Sequence, residues 1–236
     1  MSAELKTDAK KSLKKYLCWR CKLERADLYF CASCNALQAI PEDIDYFRCL
    51  GLEIRLQIHP EKLEETFYDL SRKFHPDFYQ RKSPEEQQIS LENTAILNKA
   101  YRTLKDPLER VAYLIGLIEG EDDIPLEAPS DLFEEIFALQ EGLEEAKALP
   151  PGEGASKNAL FTHLKNALER LRVRQKGARQ QIEMLCAQWD SLEASDKVQS
   201  STAEQKTCLG DMKKILSHQA YLDRMVKNIR ITIEGK

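Results

Sequence analysis

The chain has 236 residues, enough for two or three small domains, with 31 % charged residues and a formal net charge of -4. That balance argues against a chain-wide nucleic-acid surface, and the apolar run through Ala112 to Ile118 is far too short to cross a bilayer. Near the N-terminus Lys6, Lys10, Lys11, Lys14 and Lys15 stand beside Glu4 and Asp8, with no apolar stretch after them and no arginine before Arg20. Neither a secretory signal nor a mitochondrial presequence is therefore expected. The expected compartment is reducing, cytoplasmic with the mitochondrial matrix as the alternative, and there seven cysteines point to metal or redox chemistry before disulfides.

The first segment, 1–40, holds Cys18-Trp19-Arg20-Cys21 and Cys31-Ala32-Ser33-Cys34. It is too small to fold on an apolar core. Two close CxxC pairs supply four soft thiolates, enough to close a tetrahedral site, and metal binding adds the folding energy a short segment lacks. The expectation is a structural Zn²⁺ held by Cys18, Cys21, Cys31 and Cys34, with a redox-active pair as the competing reading. Cys49, Cys186 and Cys208 fall on helical segments and read as small core residues.

The second segment, 41–120, reads as four helices. Asp45 to Leu50 is a short helix stopped by Gly51. Pro60 opens a helix whose Leu63, Phe67, Leu70 and Phe74 recur at helical spacing. After a break at Pro76, Ser83-Pro84-Glu85-Glu86 forms a capping box, and the next helix carries Ile89, Ala95, Ile96, Ala100, Tyr101 and Leu104. Asp106-Pro107 opens a fourth helix through Leu117. An acidic linker, Gly120 to Pro129, precedes the third segment. There Ser130 is expected to cap a helix through Lys147, a Pro-Pro-Gly stretch ends it, a long helix runs from about 156 to 192, and a polar loop from Ser195 to Thr202 leads to a last helix. The fold class is all-α: a helical hairpin with flanking short helices, then a three-helix antiparallel bundle over 121–236.

On the bundle's first helix Leu132, Ile136, Leu139 and Leu143 form a stripe, with Phe133 and Phe137 to one side. On the last, Leu209, Met212, Leu216, Leu222 and Val226 define the core side, while Tyr221 and in part Met225 lie off it. Off-stripe aromatics on two helices of one bundle suggest an exposed apolar patch. No phosphate-binding glycine loop follows a strand, and His163 and His218 stand without a nucleophile arrangement, so no catalysis is expected in this chain.

The hairpin turn carries Lys73-Phe74-His75-Pro76-Asp77, with Asp45-Tyr46-Phe47 before it and Asn98-Lys99-Ala100-Tyr101 and Asp106-Pro107 after it. In that context the segment resembles the J-domain of the DnaJ class. The resemblance implies that His75, Pro76 and Asp77, with Arg72 and Lys73, engage a DnaK-class chaperone ATPase and stimulate it. Glu61, Glu64, Glu65 and Asp69 make the preceding helix less basic than is usual in J-domains, which points to one specialised chaperone.

From about residue 43 onward the order of parts is similar to the HscB (Jac-type) co-chaperones, some of which also carry an N-terminal tetracysteine domain. This resemblance implies an HscA-type chaperone, an iron–sulfur scaffold protein of the IscU type, and scaffold binding by Leu132, Phe133, Ile136, Phe137, Gln140 and Tyr221. Phe137 stands where some members have an acidic residue, and Ala220 where they have an arginine. Neither nucleic acid nor membrane is implied, and the expected state is a monomer or weak dimer. The alternatives are a J-protein with another client, or a metal, redox or nucleic-acid protein built on the cysteines.

Overall fold

The computed structural model describes residues 16–120, 125–148, 154–194 and 201–234. Among them are seven α-helices: α1 (Tyr46–Cys49), α2 (Pro60–Phe74), α3 (Pro84–Lys105), α4 (Pro107–Glu119), α5 (Phe133–Ala148), α6 (Gly154–Ala194) and α7 (Ser201–Glu234). Extended pairing among the described residues is confined to two isolated antiparallel bridges, Leu17 with Glu24 and Phe30 with Leu37. The fold is thus all-α. It divides into two compact units, Met1–Arg110 and Val111–Lys236, so the tetracysteine segment and the helical hairpin share one unit. No described helix is long and apolar enough to cross a membrane.

In the first unit the helix ends follow from local chemistry. The Asp45 carboxylate accepts the Arg48 N–H at 2.8 Å and caps α1. Gly51, at φ +63°, closes it in a left-handed turn, with Gly51 N–H on Arg48 O and Leu52 N–H on Phe47 O. Pro60 occupies the first position of α2, where its missing N–H is harmless. Ser83 Oγ accepts the Glu86 N–H at 3.3 Å and caps α3, and Asp106 Oδ1 accepts from Leu108 and Glu109 at α4.

Helices α2 and α3 pack as a hairpin, and α1 packs on α3. Leu63, Leu70 and Phe74 face inward from α2, and Phe67 stacks on Tyr101 with centroids 4.1 Å apart. The inner face of α3 differs from the expected stripe. Ala95 is exposed, Ile89, Ile96 and Tyr101 are only partly buried, and Ser90 and Asn93 lie fully inside with Leu97, Ala100 and Leu104. A small polar side chain can replace an apolar one in a core when each of its groups meets a backbone group, and both of these do.

In the second unit α5, α6 and α7 contact one another pairwise. Leu132, Ile136, Leu139, Leu143, Leu164, Ala167, Leu168, Leu171, Leu222, Val226 and Ile229 form one buried cluster. Ser130 does not cap α5: it opens a single 3-10 turn, Ser130–Leu132, with Pro129 before it and no side-chain cap bond. Met225, expected partly off the stripe, is buried, because α7 touches both other helices and so hides a wider arc than a helix with one neighbour. The Pro-Pro-Gly break at 149–153 and the loop at 195–200 lie outside the described residues; α6 already starts at Gly154 and α7 at Ser201. Ser217 of α7 fastens the linker, donating to Pro125 O at 2.5 Å and accepting from Glu127 N–H at 2.8 Å. Glu119 pairs with Lys213.

Leu164 has no exposed surface, whereas Val173 on the same helix is 72 % exposed. Leu164→Ala is expected to destabilise the bundle by about 2–5 kcal/mol through the cavity it leaves. Val173→Ala should stay within about 0.5 kcal/mol of the parent. Urea unfolding followed by helical circular dichroism measures both.

Candidate functional site

Each CxxC pair sits in a tight hairpin, and the two are built alike. Cys18 N–H donates to Leu23 O and Lys22 N–H to Cys18 O; thirteen residues on, Cys31 N–H donates to Ala36 O and Asn35 N–H to Cys31 O. Lys22 and Asn35 take left-handed conformations, φ +61° and +54°, which turn the chain back directly after each second cysteine. The hairpins face each other. Cys18 Sγ is 3.6 Å from Cys34 Sγ, Cys21 Sγ is 3.6 Å from Cys31 Sγ, and all four sulfurs lie within 4.8 Å of one another. Sulfurs at the corners of a tetrahedron around a 2.3 Å metal–sulfur bond stand about 3.8 Å apart. None of the seven cysteines is in a disulfide. The donor set fits a soft, four-coordinate metal ion.

The backbone favours thiolate here. Burial pushes the Cys18 thiol up, but the N–H groups of Cys21 and Arg20, 3.4 and 3.3 Å from its sulfur, outweigh burial and hold its pKa down to about 6. Cys31 is lowered, chiefly by the Cys34 N–H. Cys21 and Cys34 are raised: the N–H groups of Leu23 and Ala36 act the other way, but burial and the neighbouring sulfurs prevail.

Buried polar groups bind this segment to the hairpin. Gln38 donates to Cys18 Sγ at 3.3 Å and to Ala36 O at 2.9 Å, and accepts the Trp19 N–H at 3.3 Å. Its own carbonyl accepts from Asn93 Nδ2 at 2.8 Å, while Asn93 Oδ1 accepts the Ile40 N–H at 2.9 Å. Tyr29, between the two pairs, rests its ring 5.2 Å from that of Phe74 and donates to Cys49 O at 2.8 Å.

The turn after α2 has a missing donor, because Pro76 has no N–H. The carbonyls at the end of α2 are satisfied from elsewhere. Tyr79 Oη donates to Lys73 O at 2.9 Å, and Ser90 and Thr94 both donate to Phe74 O, at 2.5 and 3.3 Å. Pro76–Phe78 forms one 3-10 turn, with Phe78 N–H on His75 O and Tyr79 N–H on Pro76 O. His75 Nδ1 accepts the Asp77 N–H at 3.3 Å, and Gln80 Nε2 donates to Asp77 Oδ1 at 3.2 Å. Asp77 is 70 % exposed by side chain, and Arg72 and Lys73 are exposed in the last turn of α2. All five residues expected at this site therefore meet at one end of the hairpin. Ser90, Thr94 and Tyr79, which hold it, were not expected from sequence. Their hydroxyls are visible there, but their acceptors 6 to 20 residues away are not.

On the bundle the six expected residues separate. Leu132 and Ile136 are buried in the core cluster, and Tyr221 lies partly buried against the same cluster. Only Phe133, 68 % exposed, and Phe137, 56 % exposed, form an outward apolar pair, with exposed Gln140 following at the same helical face. The patch is smaller than the sequence suggested: its apolar surface is the two phenylalanines, with Leu132 and Ile136 anchoring α5 behind them.

No family model matches the chain. Over 131 residues it is 35 % identical to a protein named iron-sulfur cluster co-chaperone protein HscB homolog of Arabidopsis thaliana, covering 55 % of this chain and 51 % of that one. It is 34 % identical over 137 residues to iron-sulfur cluster co-chaperone protein HscB of Homo sapiens, covering 56 % and 58 %. With the co-chaperone protein HscB homolog of Vibrio cholerae it shares 33 % identity over 115 residues, 48 % of this chain and 67 % of that one. This chain belongs to the HscB co-chaperone family. The matched stretch spans only 51 % and 58 % of the plant and human relatives. The crystal structure of human HscB superposes with a TM-score of 0.58 at 25 % identity, covering 92 % of this chain and 98 % of that one. HscB from Vibrio cholerae gives 0.51 at 25 %, covering 79 % and 98 %.

In this HscB-family chain the four sulfurs can be read with cobalt. Co²⁺ added to metal-free protein is expected to give thiolate-to-metal charge-transfer absorption saturating at one ion per chain, strongly weakened in Cys34→Ser. The folded-state pKa of Cys18 lies below its ordinary value of 9.0, so its thiolate contributes fully above pH 9 and is lost as pH falls through about 6. Protons compete with the ion for all four sulfurs, so absorption should fade on acidification, and a spectrophotometric pH titration checks it.

Proposed function

We propose that this chain is a J-domain co-chaperone of iron–sulfur cluster biogenesis: it binds a cluster scaffold protein through its bundle and presents that scaffold to a DnaK-class chaperone whose ATPase it stimulates. The observation that carries this reading is the exposed His75-Pro76-Asp77 turn, held by three hydroxyl-to-carbonyl bonds, in a chain of the HscB family.

The residues support a division of labour. Asp77 offers an exposed carboxylate to an arginine of the chaperone, a charge-assisted bond favoured by geometry held in advance. Arg72 and Lys73 add positive charge at the C-terminal end of α2, where the helix dipole also favours it. Phe133 and Phe137 give the scaffold an apolar anchor and Gln140 a polar edge. Holding scaffold and chaperone on one chain raises the local concentration of one at the other. The reaction is carried out by the chaperone; the co-chaperone is not itself an enzyme. The tetracysteine ion is Zn²⁺, redox-inert and suited to a closed structural site. With seven free cysteines, the protein works in a reducing compartment, the cytoplasm or the mitochondrial matrix.

Single-turnover ATP hydrolysis by a DnaK-class chaperone of this pathway tests the reading. Wild-type protein should accelerate hydrolysis, more so with scaffold present, and Asp77→Asn should remove the effect. Phe133→Ala with Phe137→Ala should weaken scaffold binding by roughly 30-fold, about 2 kcal/mol spread over two aromatic anchors, while leaving scaffold-free stimulation intact. Stimulation that ignores scaffold would point to a J-protein with another client.

A further inference from the structure

We propose that Asn93 and Tyr29 are positioning residues through which metal occupancy of the tetracysteine site sets the order of the His75-Pro76-Asp77 turn. The inference rests on the reading of that turn as the element that engages the chaperone ATPase.

Two routes join the sites, both within the first unit. The first is polar. Cys18 Sγ accepts from Gln38, and Gln38 passes the constraint on through its backbone carbonyl to Asn93. Asn93 has no exposed surface, and its amide imitates a strand, donating to Gln38 O and accepting from Ile40 N–H. One helical turn earlier on α3 stands Ser90, whose hydroxyl holds Phe74 O, the carbonyl directly before His75. The side chain that takes hold of the cysteine segment and the one that takes hold of the turn are thus neighbours on one buried helix face. The second route is apolar. Tyr29 lies in the loop between the two CxxC pairs, its ring against Phe74 and its hydroxyl on Cys49 O.

The segment has few other means of keeping its shape. Its regular pairing amounts to two isolated bridges, and among its described residues only Cys18, Cys31, Ala36, Leu37, Gln38 and Ile40 are buried. With the ion bound, the hairpins are fixed, Gln38 and Tyr29 are presented in register, and Phe74 is covered. With the ion removed, the hairpins keep the Trp19 bonds to Leu37 and Gln38 but lose the link between their sulfurs. Asn93 then keeps two buried polar groups whose counterparts are no longer held in place, which is unfavourable in a dry core. Phe74 loses an aromatic neighbour at the residue where α2 ends. Order in the turn falls with it, although none of the turn residues touches the metal ligands.

The test uses the full chain. Hydrogen exchange at the amides of Asp77, Phe78 and Tyr79 is measured in zinc-loaded wild type, in wild type stripped by chelator, and in Asn93→Ala and Tyr29→Leu with zinc. Stripped wild type should exchange at these amides roughly tenfold faster than loaded wild type, on the order of one lost hydrogen bond, and zinc should restore protection. Both variants should show raised exchange at the turn while loaded, and release zinc faster to a chelator. In Asn93→Ala, stripping should add less than it does in wild type, since only the Tyr29 route remains. Tyr29→Phe, which keeps the ring, should resemble wild type at the turn more closely than Tyr29→Leu. Should Asn93→Ala fail to fold, the comparison of loaded and stripped wild type decides alone.

Equal protection at the three amides with and without zinc would overturn the proposal. ATPase stimulation by the same samples separates it from the functional reading. If loaded wild type stimulates and stripped protein stimulates several-fold less, both stand. If neither stimulates but exchange still follows zinc, the chaperone reading fails and the coupling stands.

Discussion

A proline placed at the end of a helix removes an N–H where the preceding carbonyls already lack donors. Pro76 creates that situation after α2, and the hairpin is arranged around its solution. Tyr79 reaches back to Lys73 O, while Ser90 and Thr94 reach across from α3 to Phe74 O. These bonds fix the angle at which the chain leaves α2, and so where His75 and Asp77 stand. They also account for a helix face on α3 that would otherwise look badly designed, with hydroxyls and an amide where leucines are expected. An unmade bond of this kind in a buried position costs about 1–3 kcal/mol, so the turn and the α2–α3 packing stand or fall together.

The tetracysteine segment meets a different constraint. A stretch of about this length cannot bury enough apolar surface to order its backbone. It combines metal ligation with adhesion to a neighbour: Trp19 Nε1 on Leu37 O at 2.6 Å joins the two hairpins, Asn93 joins the segment to α3, and Tyr29 to α1 and α2. The bundle shows the contrasting strategy, an apolar cluster drawn from three helices with a single serine, Ser217, used to hold the adjoining linker.

What the sequence made legible follows the range of the interactions involved. Local ones were readable: the caps at Ser83 and Asp106, the stop at Gly51, the prolines that open α2, α3 and α4, and the CxxC spacing. Medium-range patterns were readable where one neighbour decides burial, as for Leu63, Leu70 and Phe74. They were misleading where two neighbours do, as for Met225 and Tyr221 on α7. Of the candidate scaffold surface, Phe133 and Phe137 project outward, but Leu132 and Ile136 share their part of the helix and are core, a distinction set by which residues α6 and α7 bring opposite them. Ser130 has the right side chain for a cap, yet Pro129 and the 3-10 turn after it take the chain into α5 by another route. Contacts such as Ser90 with Phe74 leave no periodic trace at all.

The bonds of Asn93 also carry a consequence for the order of assembly. Its two backbone counterparts lie 53 and 55 residues earlier in the chain. During synthesis the four cysteines precede α3, so the two hairpins are able to close on an ion before Asn93 is there to receive them. When α3 emerges, Asn93 can join the segment to it, and the loop closed at that moment contains α1, α2 and the proline turn. Closing it fixes the contents of the loop as much as its ends. The second helix of the hairpin thus holds the cysteine segment through Asn93 and the proline turn through Ser90.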